Sequence, residues 1–413
     1  MSGQVAQSFD LVIGGGGFVG LGLAAALNQA APQGLRIAVI DGADPKSEAS
    51  PDPRASAISA ASRRLLDAVG VWERVSDHAQ PMGEIDITDS RLEAAIRPLL
   101  LHFDTGIGAG EVAAHMVENA RLLSALRDHI GSLENVVLLA PDRITGFEAG
   151  ADAVGIELES GAMLKAPLLA VADGRRSALR AMAGIKTIGW SYPQVGIATT
   201  VAHERPHGGR AIQHFLPAGP FAILPLKGNR SSLVWSEERE RGRAIVAASD
   251  EEFLGEVRLR FGARYGEVEL AGPRGAFPLE MHIARAFVAD RVALIGDAAH
   301  GFHPLAGQGL NIGLRDVAAL GEVIVETARL GLDIGAPAAL ERYQRWRRFD
   351  SAVSLSTMDA LNRLFSNESE GLRAVRSLGL GLVDRIPALK RFFVEEAAGL
   401  TGKTPRLLRG EPI

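Results

Sequence analysis

A short apolar run, Phe9–Ile13, leads directly into the cluster Gly14–Gly22, and an Ala/Leu-rich stretch, Leu21–Gln29, follows at once. Only a strand, a tight turn and a helix satisfy that order, because apolar residues without alternation suit a strand buried on both faces and consecutive glycines permit a backbone reversal that other residues resist. Arg36–Ile40 is a second strand, which makes the first forty residues a βαβ unit. Within the turn, Gly15-Gly16-Gly17-Phe18-Val19-Gly20 has the GxGxxG spacing. Gly15 allows the tight turn, Gly17 lets backbone approach a pyrophosphate, Gly20 permits close packing of helix on strand, and the N–H groups of the helix N-terminus, Val19 included, face the phosphates. Asp41 ends the second strand, 21 residues after Gly20 (41 − 20), where a carboxylate accepts hydrogen bonds from a ribose. The bland alternative is a structural turn, and the spacing does not choose between NAD and FAD.

Further apolar runs, Val136–Ala140 and Leu168–Ala172, extend the alternation of strand and helix and predict a parallel sheet. Two regions differ. Gly83–Asp89 and Ile96–Phe103, then Gln194–Glu204, Ala211–Phe215, Phe221–Leu226 and Ser231–Trp235, are β-branched or aromatic runs broken by Pro, Gly and Asn. They predict one antiparallel sheet inserted twice into a Rossmann-like α/β domain. The expected division is a nucleotide domain over 1–75, 104–182 and 274–345, a substrate domain over 76–103 and 183–273, and a helical C-terminal region over 346–413.

A second glycine-rich region follows the buried run Arg291–Ile295: Gly296-Asp297-Ala298-Ala299-His300, then His303-Pro304-Leu305-Ala306-Gly307-Gln308-Gly309-Leu310-Asn311, then a helix. Asp297 at a strand end suits a ribityl or ribose hydroxyl, and the helix N-terminus aims N–H groups at an electron-rich ring edge, where it would stabilise a reduced flavin. A second site so far along the chain points to FAD rather than NAD. His300 and His303 stand at i, i+3, but no carboxylate is spaced to complete a metal site, so no metal is expected. Gly402-Lys403-Thr404 lacks the preceding glycine and strand of a P-loop and reads as a tail loop.

Composition narrows the functions. With 44 Lys plus Arg against 49 Asp plus Glu the net charge is −5, which argues against nucleic acid as a partner, and the absence of cysteine removes thiol nucleophiles and iron–sulfur ligation. No signal peptide or membrane span is legible, so the expected location is cytoplasmic. Residues 372–413 nevertheless hold eight basic residues against four acids, a local +4. Leu372, Val375, Leu382, Ile386, Leu389, Phe393, Ala397 and Leu400 recur there at helical steps. The tail is therefore amphipathic. It either packs on its own domain or touches the inner membrane face peripherally, with Arg373, Arg376, Arg385, Lys390 and Arg391 toward anionic lipid.

Asp173-Gly174-Arg175-Arg176-Ser177-Ala178-Leu179-Arg180 resembles the DG motif of single-component flavin aromatic hydroxylases, associated with FAD and nicotinamide binding, and Gly296–Asn311 resembles their GD motif. Residues 303–316 are similar to the signature of the ubiquinone-biosynthesis hydroxylases. Asp52–Ser59, Val117-Glu118-Asn119, Trp190–Gln194, Pro206-His207, Phe215 and Gly219–Leu226 resemble that family's landmarks, so the likeness spans nearly the whole chain. Phe18 and His214 depart from it. The resemblance implies FAD, NAD(P)H as electron donor and O₂ as cosubstrate, with hydroxylation of a polyprenyl phenol through a C4a-hydroperoxyflavin, and other quinone-biosynthesis proteins as partners. It also implies that Arg54 lies beside the FAD phosphates or ring and that Asn119 starts a helix near the pyrophosphate. Asp173 and Asp297 would belong to the cofactor motifs. The amides of Gly309, Leu310 and Asn311 would face the flavin, and His303 and Pro304 would lie between flavin and substrate. Tyr192, His214, Phe215 and Phe221 are expected to line the substrate pocket, with sheet core as the plainer role for the aromatic three. Arg54 as a helix-end charge and Asn119 as a cap are the plainer roles for those two. An FAD dehydrogenase or isoprenoid reductase, or a non-catalytic flavoprotein subunit, fits the same fold; neither would place oxygen from O₂ in a product.

Overall fold

A computed structural model describes residues 6–30, 34–45, 52–89, 92, 97–216, 218–301, 309–365 and 386–413. The βαβ start is present as the strand Leu11–Gly14, the helix Phe18–Ala30 and the strand Ile37–Ile40. Val136–Leu139 and Ile37–Ile40 lie on one side of Leu11–Gly14, and Leu169–Val171 and Val292–Leu294 on the other, all five parallel. Val288–Ala289 adds an antiparallel edge. Leu11, Val12, Ile13, Ile37 and Leu169 are wholly buried, as strands covered on both faces require. The helix Phe18–Ala30 packs against the helices Asn119–Gly131 and Gly309–Arg329. Its Leu21, Leu23 and Leu27 are fully buried, each stabilising the fold by roughly 1.5–3 kcal/mol.

The inserted sheet has eight strands. Their spatial order is His300–Gly301, Val268–Ala284, Thr187–His203, Arg230–Glu238, Gly219–Leu226, Arg210–Leu216, Glu84–Asp89 and Leu99–Asp104. Every pairing is antiparallel except Arg210–Leu216 with Glu84–Asp89. That parallel pair departs from the uniformly antiparallel sheet expected. The Glu84 strand arrives on the chain's first excursion and no tight turn joins it to the Arg210 strand, so nothing forces the antiparallel direction. One face of the sheet is covered by the helices Arg239–Ala247 and Asp250–Phe261, around Ile197, Phe221, Leu233, Trp235 and Phe253. The other face meets the three-stranded sheet of Ala55–Ser59, Ala114–Glu118 and Gln80–Met82.

The chain ends in the helices Pro337–Phe365 and Pro387–Ala397. Pro387 does not interrupt the second because it occupies the first turn, where a missing N–H leaves no bond unmade. Val394 and Leu400 pack on Ala60, Ala113 and Ala398, whereas Phe392 and Phe393 are about half exposed. Leu372, Val375, Leu382, Arg373, Arg376 and Arg385 lie outside the described residues. Among those described, no helix is long and apolar enough to cross a membrane.

Candidate functional site

The glycines of the first turn divide into two kinds. Gly15 has φ +116°, and a Cβ there would collide with the carbonyl of Ala172; at Gly20 it would collide with the carbonyl of Gly15. These two close the turn onto the neighbouring strand and helix. Gly17 is different, since a Cβ there would meet nothing within 4 Å among the described residues. It faces open space at the start of the Phe18 helix, where the first N–H groups have no intrahelical partner. Asp41 sits against the same turn: a Cβ on Gly16 would stand 2.5 Å from its Oδ2, and its Oδ1 accepts a hydrogen bond from the Ala43 N–H at 3.0 Å. The Val19 side chain points away from the opening and fills the space left by Gly296 and Gly313, interlocking the two glycine clusters.

The 3₁₀ turn Gly296–Ala298 holds Asp297, whose side chain is 45% exposed and 3.8 Å from Arg175 Nε. Arg180 donates to the carbonyls of Ala298 (2.8 Å) and Arg175 (3.2 Å), tying the two acidic motifs together. Asp173 accepts from the Leu179 N–H at 3.1 Å through Oδ2, while its Oδ1 is buried with no partner among the described residues. A buried carboxylate oxygen left in that state is costly, and a ligand hydroxyl would satisfy it. Across the opening, the helix Gly309–Arg329 begins with Gly309, where a Cβ would meet nothing within 4 Å among the described residues, and Leu310 is partly buried behind it. Asn311 accepts from Ser59 N–H (3.0 Å) and donates to the Ala57 carbonyl (2.8 Å), fixing that helix start to the strand Ala55–Ser59.

Arg54, Asp52 and Asn119 form one linked group. The Arg54 guanidinium bonds Asp52 at 2.8 and 2.9 Å and lies over the Phe277 ring at 4.8 Å, so Arg54 is not a helix-end charge. Asn119 opens the helix Asn119–Gly131 as its first residue; the capping position is Glu118. Its Oδ1 accepts from Ser56 (2.7 Å) and its Nδ2 donates to Asp52 (3.4 Å). Burial opposes ionisation of Asp52, but the hydrogen bonds and charge of Arg54 outweigh it and hold its pKa below the ordinary value.

Beneath these turns lies a network that sequence reasoning missed. Asp316, wholly buried, accepts from the Gly296 N–H (2.9 Å), His300 Nε2 (2.7 Å) and Arg347 Nε (2.7 Å), and Arg347 also bonds Asp350 at 2.9 Å. His300 Nε2 is therefore engaged by the Asp316 carboxylate. No group of metal-ligating side chains occurs among the described residues. The available signal was an acid placed beside Leu314, Val317 and Leu320 on the buried side of a helix, where a charge demands a partner.

The expected pocket residues part company at the inserted sheet. Side chains alternate along a strand, so His214 and Phe215 face opposite sides. His214 stacks on Phe221 and bonds Thr88 at 2.6 Å, and Phe221 packs on Trp235 in the helix-covered core. Burial pushes the His214 pKa down to about 4. These two do not meet the other site residues. Phe215 lies on the same face as Ala211, toward Met82 and Ala114, and Tyr192 packs with Leu279, Met281 and Ile312. Across the middle of that face the cross-strand row Gln213, Ala222, Val234, Ala198 and Gly275 is built mostly from small side chains, with Phe277 and Pro53 packed close over Gly275. His303 and Pro304 lie outside the described residues.

Residues 8–350 match the FAD binding domain family. The ubiquinone hydroxylase UbiL of Rhodospirillum rubrum is 44% identical, over 100% of this chain and 95% of its own. The 3-demethoxyubiquinol 3-hydroxylase of Escherichia coli is 36% identical, over 95% and 99%. The crystal structure of p-nitrophenol 4-monooxygenase PnpA from Pseudomonas putida superposes with a TM-score of 0.78 at 22% identity, covering 96% of this chain and 99% of that one, which shows a shared fold.

Proposed function

The chain belongs to the FAD binding domain family, and from that premise we propose that it is an FAD-dependent monooxygenase hydroxylating the aromatic ring of a polyprenyl phenol in ubiquinone biosynthesis. The observation that carries this is the 44% identity to a ubiquinone hydroxylase along the whole chain. The residues fit FAD: Gly17 and Gly309 stand at two helix N-termini where a Cβ would meet nothing within 4 Å among the described residues, and Asp173 keeps a buried oxygen with no partner among them for a hydroxyl. Gly15, Gly17, Val19 and Gly20 would hold the pyrophosphate through backbone. Asp41 would hold the adenosine ribose, Asp297 and Asp173 the remaining hydroxyls, and Arg54 with Asn119 the phosphate or ring side.

When bound, FAD supplies electron transfer from NAD(P)H and activation of O₂. The protein binds, orients and excludes water. Leu310 and Asn311 would offer backbone N–H groups where negative charge develops, fixed in place by the Asn311 side-chain bonds. Phe215, Tyr192 and the small residues between them would position the phenol. Turnover under ¹⁸O₂ is expected to place one labelled oxygen in the product by mass spectrometry; label arriving from ¹⁸O-water instead would overturn the monooxygenase assignment for this substrate.

The Pro387–Ala397 helix supports a peripheral membrane contact, because Phe392 and Phe393 stand exposed beside Arg391 while Val394 faces the protein. Changing Arg385, Lys390 and Arg391 to Glu is expected to weaken flotation with anionic vesicles by about fivefold per charge at low salt, and added salt should do the same to the unaltered protein. Lys390 is partly engaged by the protein itself, its ammonium donating to the His102 carbonyl at 3.1 Å. Flotation indifferent to salt and to all three changes would remove the electrostatic contact.

A further inference from the structure

Three neighbouring strands of the parallel sheet end side by side: Gly14 of Leu11–Gly14 pairs with Ile40 of Ile37–Ile40, which pairs in turn with Leu139 of Val136–Leu139. The segments that leave those ends keep the same order. The glycine turn comes first, Asp41 second and 140–143 third, and the third is tied to the second by the Asp142 N–H, which donates to the Asp41 carbonyl at 2.9 Å. Strands stand about 4.8 Å apart, so the three ends span about 10 Å. Gly42, the residue after Asp41, supplies the second observation. Its φ lies outside the left-handed region, so its backbone makes no demand for glycine, yet a Cβ there would stand 2.7 Å from Arg143 Nε and 3.0 Å from its Cζ. The missing side chain is the space in which the Arg143 guanidinium lies. The Arg143 backbone is fixed: its N–H donates to Asp142 Oδ1 at 2.8 Å, and its carbonyl accepts from the Glu159 N–H at 2.8 Å. Its side chain is 71% exposed, and the Glu159 carboxylate it faces is 3.9 Å away and itself 66% exposed. A pair so long and so exposed contributes little and leaves the guanidinium plane accessible.

A dinucleotide laid across the strand ends in this order puts its pyrophosphate at the glycine turn, its ribose at Asp41 and its base at the third segment. We infer that Arg143 is the adenine-binding residue of the FAD site, its guanidinium stacking on the base beside Gly42. This rests on the FAD site proposed above, in which Asp41 holds the adenosine ribose. Arginine suits the role because its planar cation lies flat against an aromatic face. The Asp142 carboxylate is already occupied, accepting from the Arg143 and Ser160 N–H groups through Oδ1 and from the Ser160 hydroxyl at 2.6 Å through Oδ2.

Titration of the full chain with FAD and with riboflavin diphosphate ribose, the same molecule lacking only the adenine, tests the assignment, free flavin being read by absorbance after ultrafiltration. Arg143→Ala should bind FAD about tenfold more weakly and riboflavin diphosphate ribose as the unaltered chain does. Gly42→Ala keeps the arginine but fills its place, and a long flexible side chain moves aside at little cost to the fold. That variant should also lose about tenfold for FAD, and Gly42→Ala/Arg143→Ala should bind no more weakly than Arg143→Ala alone. Losses that multiply in the double variant overturn the seating of Arg143 beside Gly42. FAD affinity unchanged in Arg143→Ala, or an equal loss for both flavins, overturns the adenine contact and leaves the FAD site standing. If neither flavin binds the unaltered chain, the FAD site itself fails.

Discussion

Gly17→Val is expected to yield a folded, colourless protein. No atom of the described residues lies within 4 Å of where a Cβ at Gly17 would be, and its φ is outside the left-handed region, so the chain accepts a side chain there. The cofactor would not, because in the proposed site the same opening is the approach of the pyrophosphate to the first N–H groups of the Phe18 helix. Overpacking of this kind costs about 3 kcal/mol, roughly a hundredfold in FAD affinity. The visible-to-ultraviolet absorbance ratio of the purified protein should fall near zero while its far-ultraviolet circular dichroism stays that of the unaltered chain. Gly20→Val is the contrast, since its Cβ would collide with the Gly15 carbonyl and damage the fold itself. Full flavin content in soluble Gly17→Val would remove the first glycine turn from the cofactor site.

The close packing at Gly20 and the space at Gly17 were legible in the sequence, because both follow from local order: an apolar strand, glycines at fixed spacing, a helix. The same holds for the strand Leu169–Val171, whose uninterrupted apolar run is buried throughout, whereas Val136–Leu139, expected to be buried likewise, is the edge of its sheet with Val137 42% exposed. What stayed hidden is non-local. Alternation says that His214 and Phe215 face opposite ways, but both faces of the inserted sheet are largely apolar, and the pattern cannot tell which one meets the nucleotide domain. Phe221 went to the helix-covered core for that reason. Val19 fits the gap left by Gly296 and Gly313, nearly three hundred residues away, and no spacing rule connects them. Asp316, His300 and Arg347 meet from positions 16 and 31 residues apart, where only the packing of the Pro337–Phe365 helix on the Gly309–Arg329 helix decides the pairing.

That network should carry the largest single contribution of charged side chains to stability. Asp316 and Arg347 are 0% and 1% exposed, so removing either leaves the other charge buried with fewer partners. Arg347→Met keeps an aliphatic stem of similar length and is expected to cost about 3–5 kcal/mol in urea unfolding of the FAD-loaded protein. Asp316→Asn/Arg347→Met, in which both charges leave together, should recover a substantial part of that loss. The pH dependence follows with a definite sign. Burial works against ionisation of Asp316, but the charges and hydrogen bonds of His300 and Arg347 outweigh it, and its pKa in the fold lies below the ordinary 3.8. The stabilisation is therefore fully present above about pH 4 and is lost only as pH falls through the lowered folded value. Without Arg347 the folded pKa rises, and acid unfolding should begin at a higher pH than in the unaltered protein. Because Asp316 also accepts the Gly296 N–H that starts the Asp297 turn, Arg347→Met should bind FAD more weakly even where it is fully folded. A single variant within 1 kcal/mol of the unaltered protein, with an unshifted acid transition, would show that the buried carboxylate does not depend on Arg347.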